Sequence, residues 1–319
     1  MLTLPDFKEK KILYISNSLD FPNDLKFRNN NIRLYKNKKF INQLTLFSIF
    51  SIFIIGDSTI TSKVIQVCKQ KGISIFMLNN SFKCYAEIIS SADGNYLLRQ
   101  KQYLAGEKES IDISKLLVEN KIRNQIKILK YYKKDLSDFN YKNIISKVRN
   151  SDDHNKLLGF EGLASRKYFK LLFSELNWRR RSPQTKEDID NLLLDIGYTF
   201  LFNYIDALLN LFGFDTYKGY YHQLFFQRKS LSCDLMEPIR PIIDKEILKM
   251  HKLNEIDIED FIFKNQQFRF KDYKTQKKYV DIWFSLIIQY REEMYTYIHN
   301  FYQYISDPVK YKFKEFKIR

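Results

Sequence analysis

The sequence predicts an α+β protein: a small β-rich N-terminal domain with one inserted helix, followed by a larger all-α domain. Up to about residue 90, short runs rich in Ile, Leu and Tyr alternate with Asn, Asp and Pro turn signals, the pattern of strands. From about residue 92 onward, apolar residues recur at three- and four-residue spacing, the pattern of helices. The length of 319 residues, 45% of them hydrophobic, is enough for one large or two moderate cores. The boundary is placed so that the domains are 1–93 and 94–319.

The strand candidates come first. Residues 11–15, 32–35 and 39–43 are short and apolar, and 51–55 reads as a buried strand ending at Gly56-Asp57. Thr59-Ile60-Thr61-Ser62 supplies N-cap candidates for a helix to Lys71, which Gly72 stops. Residues 73–78 and 83–89 then flank Asn79-Asn80-Ser81, a hairpin turn signal. The helix candidates are 95–104, 111–132, 155–176, 186–212, 232–249 and 274–304. The fourth begins with acidic residues, which suits the positive end of the helix dipole. Pro238 and Pro241 should distort the fifth.

Charge narrows the function classes. Lys and Arg number 53 against 37 Asp and Glu, a formal charge of +16. Such a surplus opposes compaction by self-repulsion, and is easier to understand if the partner is a polyanion. Lys, Asn and Ile abound throughout, so part of the excess reflects general composition. Cys68, Cys84 and Cys233 are odd in number and lack CxxC spacing, which argues for a reducing, cytoplasmic setting rather than a disulfide framework. The N-terminal MLTLPDFKEKK has no apolar signal core, and the apolar stretch near 46–55 is too short to span a bilayer. No membrane partner is expected.

Two segments stand out chemically. In Gly159-Phe160-Glu161-Gly162-Leu163-Ala164-Ser165-Arg166-Lys167-Tyr168, a lone Glu161 sits among small and apolar residues on a predicted helix. Gly159 and Gly162 would admit another backbone, a metal or a phosphate. The bland alternative, a solvated glutamate on an amphipathic helix, is the commoner case. The second segment runs Tyr221-His222-Gln223, then Ser230-Leu231-Ser232-Cys233-Asp234-Leu235-Met236-Glu237-Pro238-Ile239-Arg240-Pro241. Asp234 and Glu237 share a helix face at this spacing and repel unless a cation lies near. His222 with hard carboxylates suits Mg²⁺ or Mn²⁺ better than structural zinc. Taken alone, an acidic pair on a wet face and a satisfied core histidine would explain it. Together, one Glu, one His and two carboxylates in a basic helical domain are what metal-assisted phosphodiester chemistry needs.

At these residues the sequence resembles the CRISPR-associated spacer-integration endonucleases, which insert new spacers into CRISPR arrays. The likeness rests on the EG-x-A stretch at Glu161, NLLLDIGYTFL and GFDTYKG within 191–219, His222, and SLSCDLMEPIRP at 230–241. It extends to IFIIGDSTITSKVIQVCKQKGISIFML at 52–78, and so to nearly the whole chain.

The resemblance implies a metal site on Glu161, His222 and Glu237, with Asp234 as a supporting or alternative ligand. It implies attack of a 3′-hydroxyl on a phosphodiester at the repeat boundary, or hydrolysis when water replaces the donor end. Its partners would be double-stranded DNA (prespacer and CRISPR repeat), a second copy in a homodimer, and a small CRISPR-associated protein bridging two dimers. By the same resemblance the N-terminal domain is β-sandwich-like and the helical catalytic domain carries the metal site; the Ile/Phe-rich N-terminal strands are compatible with a dimer interface and serve a monomer core equally well. Arg166, Arg240 and, more weakly, Tyr198 are the candidate DNA contacts, with core packing the favoured role for Tyr198; Arg179-Arg180-Arg181 form a second basic run or an ordinary solvated charge cluster. Two departures stand out. The last ligand, often Asp, is here Glu237, and the usual G-L-D-P loop reads Gly213-Phe214-Asp215-Thr216, which without its proline should be less rigid. The competing readings are a catalytically inactive DNA-binding scaffold and an unrelated RNA-binding protein. The intact acidic set disfavours the first; the lack of an aromatic RNP strand or GXXG loop disfavours the second.

Overall fold

The computed structural model describes residues 4–16, 23–79, 82–89, 95–176, 178–222 and 226–319. Residues 80–81 of the predicted hairpin turn and the predicted 93/94 boundary fall outside them. The chain divides into two compact units, Met1–Leu97 with Asp206–Phe214, and Leu98–Ile205 with Asp215–Arg319.

The first unit contains helix α1 (Leu4–Lys8), strands β1 (Lys11–Ser16), β2 (Asn23–Arg28), β3 (Asn31–Lys36), β4 (Lys39–Thr45), β5 (Ile49–Ile55) and β6 (Ser58–Ile60), helix α2 (Ser62–Gln70), and strands β7 (Ser74–Leu78) and β8 (Cys84–Ile88). They form two four-stranded sheets, ordered β1-β5-β7-β8 and β4-β3-β2-β6. Every residue of β5 is buried, as its unbroken apolar run predicts for a strand covered on both faces. β1 and β7 flank it in parallel. The antiparallel β2-β3-β4 meander turns at Asn29-Asn30 and Asn37-Lys38, all four with positive φ, the geometry of tight hairpin turns. Ile15, Leu25, Ile32, Ile52, Val64 and Ile75 share one apolar cluster, so both sheets and α2 contribute to a single core. Gly72, at φ 75°, ends α2 in the left-handed region.

The second unit is mainly helical: α3 (Tyr96–Leu104), α4 (Glu107–Tyr131), α5 (Tyr141–Arg149), α6 (His154–Leu172), α7 (Ile189–Phe212), α8 (Ser230–Met236), α9 (Pro241–Lys252) and α10 (Tyr273–Ser306). It is not all-α, as the sequence reading had it. Strands β9 (Phe261–Lys264) and β10 (Gln267–Phe270) pair as a hairpin around Asn265-Gln266, both at positive φ. The last residues of α7 belong to the strand-rich unit, a division that a single cut in the sequence cannot express. The predicted helix over 232–249 is two helices, separated at Glu237–Arg240 where the prolines remove backbone donors.

Helix α4 packs against α5, α6, α8 and α9. The C-terminal tail is tied to it by a reciprocal pair: Asn120 Nδ2 donates to the Phe316 carbonyl at 2.8 Å, and Phe316 N donates to Asn120 Oδ1 at 2.8 Å. Among the described residues, α7 is long and apolar enough to cross a membrane, with 83% of its apolar window buried inside the protein. A helix apolar all round that is buried in this way is a core helix.

Candidate active site

Glu161, at mid-length on α6, accepts from its own turn: Ser165 Oγ donates to Glu161 Oε1 at 2.7 Å. The same oxygen takes a hydrogen bond from Lys121 Nζ, which reaches across from α4. Glu237, just past α8, lies with Oε2 at 2.6 Å from the same Lys121 ammonium and Oε1 at 3.2 Å from Arg240 Nη1. Two predicted ligands far apart in sequence are thus brought onto one cation. Burial works against Lys121 keeping its charge, but Glu161 and Glu237 outweigh it and hold its pKa above the usual lysine range. Burial likewise opposes the Glu237 charge, yet Arg240, Lys121 and His222 hold its carboxyl well below the usual carboxylate range.

Asp234 faces elsewhere. Its side chain is fully buried and accepts backbone N–H bonds from Tyr220, Tyr221 and His222 at 2.6, 3.0 and 2.9 Å. His222 Nδ1 lies 2.7 Å from Asp234 Oδ1. A carboxylate accepting this bond holds the imidazole proton on Nδ1 and leaves the Nε2 lone pair for a cation, the usual carboxylate–histidine–metal arrangement. Asp234 and Glu237 are therefore not the mutually repelling pair that their spacing suggested. One is neutralised by backbone donors, the other by two side-chain cations.

The loop before His222 explains its glycine. A Cβ on Gly219 would stand 2.8 Å from Asp234 Oδ2 and 2.9 Å from the His222 carbonyl oxygen, too close for any side chain. Gly159 and Gly162 differ from expectation: a Cβ on either meets no atom within 4 Å, so no other part of the chain makes the close approach their presence implied. Nor is the loop left slack by its missing proline. Gln102 Nε2 donates to the carbonyls of Asp215 and Lys218 at 2.7 and 2.6 Å, and Asp215 N donates back to Gln102 Oε1 at 3.1 Å.

The other predicted residues divide between surface and interior. Arg166 is exposed, but five residues on from Glu161 it lies about 140° round the helix, on another face. Arg240 is the counter-ion of Glu237, its side chain 31% exposed. Tyr198 is buried: its hydroxyl donates to Asp244, and its ring lies beneath the guanidinium groups of Arg240 and Arg181, 4.9 and 5.4 Å from the ring centre. This is the core placement favoured for it over a DNA contact. Within the second basic run, Arg181 pairs with Asp195 at 2.5 Å and Arg180 with Glu187 at 3.4 Å, while Arg179 is exposed.

Lys121 escaped the sequence reading, though it left a trace. It falls three and four residues after Val118 and Leu117, on the buried stripe of α4, where a lysine is out of place. Tyr221 is a second such residue. Burial and then Glu161 and Glu237 push its hydroxyl pKa up, placing it in the field of both carboxylates.

Fit to a divalent cation turns on one atom. Glu237 Oε2 is buried and faces the Lys121 ammonium at 2.6 Å. A buried acceptor of that kind, beside a second carboxylate and an imidazole nitrogen, suits Mg²⁺ or Mn²⁺. Among the described residues no three His, Cys, Asp or Glu side chains converge on a point. Lys121 Nζ is where the two glutamates meet.

A strand-rich unit followed by a helical unit bearing a carboxylate–histidine centre defines the class of protein. A family model described as CRISPR associated protein Cas1 matches residues 18–284, and the chain belongs to that family. A CRISPR-associated endonuclease Cas1 of Thermus thermophilus is 28% identical over 226 residues, 69% of this chain and 68% of that one. Another from Thermodesulfovibrio yellowstonii is 28% identical over 256 residues, 75% and 80% of the two chains. Among solved structures, a Cas1 protein from Thermotoga maritima superposes with a TM-score of 0.83 at 18% identity, covering 93% of this chain and 97% of that one. A casposase bound to integration product gives 0.80 at 17%, covering 97% and 96%. A chain of a Cas6-RT-Cas1–Cas2 complex gives 0.82 at 21%, covering 98% and 36%.

Proposed function

We propose that the protein is a divalent-metal-dependent DNA integrase and endonuclease of CRISPR adaptation, which inserts new spacer DNA into the array by 3′-hydroxyl attack on a phosphodiester. The observation that carries this reading is the pair of carboxylates, Glu161 and Glu237, gathered on one buried ammonium, together with an imidazole held by Asp234. The names of the relatives support an endonuclease, and a structural neighbour bound to an integration product supports strand transfer.

Glu161, Glu237 and His222 Nε2 would hold Mg²⁺ or Mn²⁺. When bound, such an ion neutralises charge developing on the phosphate and lowers the pKa of the attacking hydroxyl or water. The chain's own residues prepare this. Asp234 keeps the His222 proton on Nδ1, and Arg240 keeps Glu237 ionised. The net charge of +16 draws DNA toward an acidic centre that would otherwise repel it. Arg166 and Arg179, exposed in the helical unit, contact backbone phosphates.

The DNA partners are a duplex prespacer and the CRISPR repeat. The protein acts in the cytoplasm as a homodimer joined through its N-terminal unit, whose two sheets form a sandwich. A small partner protein bridges two dimers, a reading supported by the Cas1–Cas2 neighbour.

The test is strand transfer from a short duplex into a supercoiled target, in Mn²⁺, in Mg²⁺ and in EDTA. Glu161→Ala and His222→Ala are expected to lose ~100-fold or more, as for groups acting directly on developing charge. Activity that survives EDTA, or survives in both variants, overturns the metal mechanism. DNA binding without transfer under any metal would favour an inactive scaffold.

A further inference from the structure

We propose that Lys121 is a built-in placeholder cation: its ammonium holds Glu161 and Glu237 together, and a divalent ion loads the centre only by displacing it. The inference rests on the metal centre proposed above and adds to it a residue that governs loading.

Three helices bring these groups together. Lys121 comes from the middle of α4, Glu161 from α6 and Glu237 from the end of α8. Lys121 is 7% exposed, and its Nζ bridges the two carboxylates. Two glutamates turned toward each other in such a place would repel if no cation stood between them. Lys121 removes that strain in the protein by itself.

The ammonium serves both carboxylates, by a hydrogen bond to Glu161 Oε1 and at 2.6 Å from Glu237 Oε2. A compact cation therefore already occupies the place between the two oxygens, and hard carboxylate oxygens gathered on one point also suit a divalent ion.

Charge balance makes the two exclusive. Glu161 and Glu237 carry two negative charges; Lys121 and Arg240, the latter on Glu237 Oε1, already supply two positive ones. A divalent ion added without loss of the ammonium would put two excess positive charges into a buried site, within a few ångströms of Lys121 Nζ. The lysine stem is flexible, and the Glu161 side chain, 17% exposed, marks the side from which the ammonium reaches solvent. Arg240 cannot act as the gate, since its guanidinium is held beneath Glu237 Oε1 and over the Tyr198 ring.

The experiment measures Mn²⁺ binding by calorimetry and by electron paramagnetic resonance on the full chain after EDTA stripping. It compares wild type, Lys121→Met and Glu161→Gln. The expected result is binding that Glu161→Gln abolishes and that Lys121→Met tightens about tenfold or more, since a competing unit charge has gone. In EDTA the Lys121→Met chain should melt lower than wild type, because two buried carboxylates have lost their counter-ion, and Mn²⁺ should restore it.

Glu161-dependent binding that Lys121→Met leaves unchanged or weakens overturns the placeholder and leaves the metal centre standing. Absence of Glu161-dependent binding in both wild type and Lys121→Met overturns the metal centre itself. If Lys121→Met does not fold, crystals of the wild type grown in EDTA and then in Mn²⁺ decide the matter. The ammonium should leave its bridging position when manganese density appears. A lysine still touching both carboxylates beside bound manganese would refute the proposal.

Discussion

Two buried aspartates of the helical unit, Asp234 and Asp244, meet opposite surroundings. Asp234 is surrounded by donors: three backbone N–H groups and an imidazole nitrogen meet its two oxygens. Asp244 receives the Tyr198 hydroxyl, and burial pushes its carboxyl up to about 6, against the pull of Tyr198, Lys121 and Arg240. Because its pKa is raised on folding, the stability linked to this proton is fully present below the ordinary aspartate value. It is lost as pH rises through about 6. Asp244→Asn keeps the shape and cannot ionise. Its unfolding free energy, relative to wild type, should therefore rise by about 2–3 kcal/mol between pH 4 and pH 8. Urea denaturation at the two pH values measures this, and a difference flat across the range would mean that Asp244 titrates normally. None of these surroundings was legible in sequence. Neither Asp244 nor Lys121 was singled out, because a side chain's partners across a helix interface are not given by local spacing, even where, as for Lys121, the apolar stripe marks the position as buried.

Among the elements, the long ones were legible and the short ones were not. α4 and α10 announce themselves by sustained apolar periodicity and α7 by its long apolar run. β2 and β6 were missed as too polar or too short to display a period, and the nine-residue α5 was missed although Ile144 and Val148 stand four apart on its buried face. The β9–β10 hairpin was missed for another reason: its turn is Asn265-Gln266 rather than a glycine-bearing pair, although Phe-rich runs flank it on both sides. The helix that carries Glu161 begins with a specific cap, Asp153 Oδ1 accepting from the backbone N–H groups of Asn155 and Lys156 at 2.6 and 2.9 Å. Replacing it by alanine orphans both donors, and Asp153→Ala should lower the unfolding free energy by about 1 kcal/mol. The urea midpoint reports that loss; an unmoved midpoint would show that water replaces the cap without cost.

For the molecule as a whole, the excess of 53 basic over 37 acidic residues makes a direct claim on DNA binding. If phosphate contacts dominate, affinity for a duplex should fall by roughly 10³-fold or more between 50 and 200 mM salt, through release of condensed counterions. Fluorescence anisotropy over that range gives the slope, and a flat response would contradict a phosphate-dominated interface. The order of the architecture, strands first and helices after, was determined by the sequence alone. So was the family, through the residues around Glu161, His222 and Glu237, since periodicity and motif are properties of neighbours along the chain. Only the tertiary structure decided what those residues face. Lys121 and Glu161 stand 40 residues apart and meet because α4 packs on α6. Asp234 turns from Glu237 to the loop at His222, where three backbone N–H groups satisfy its buried oxygens.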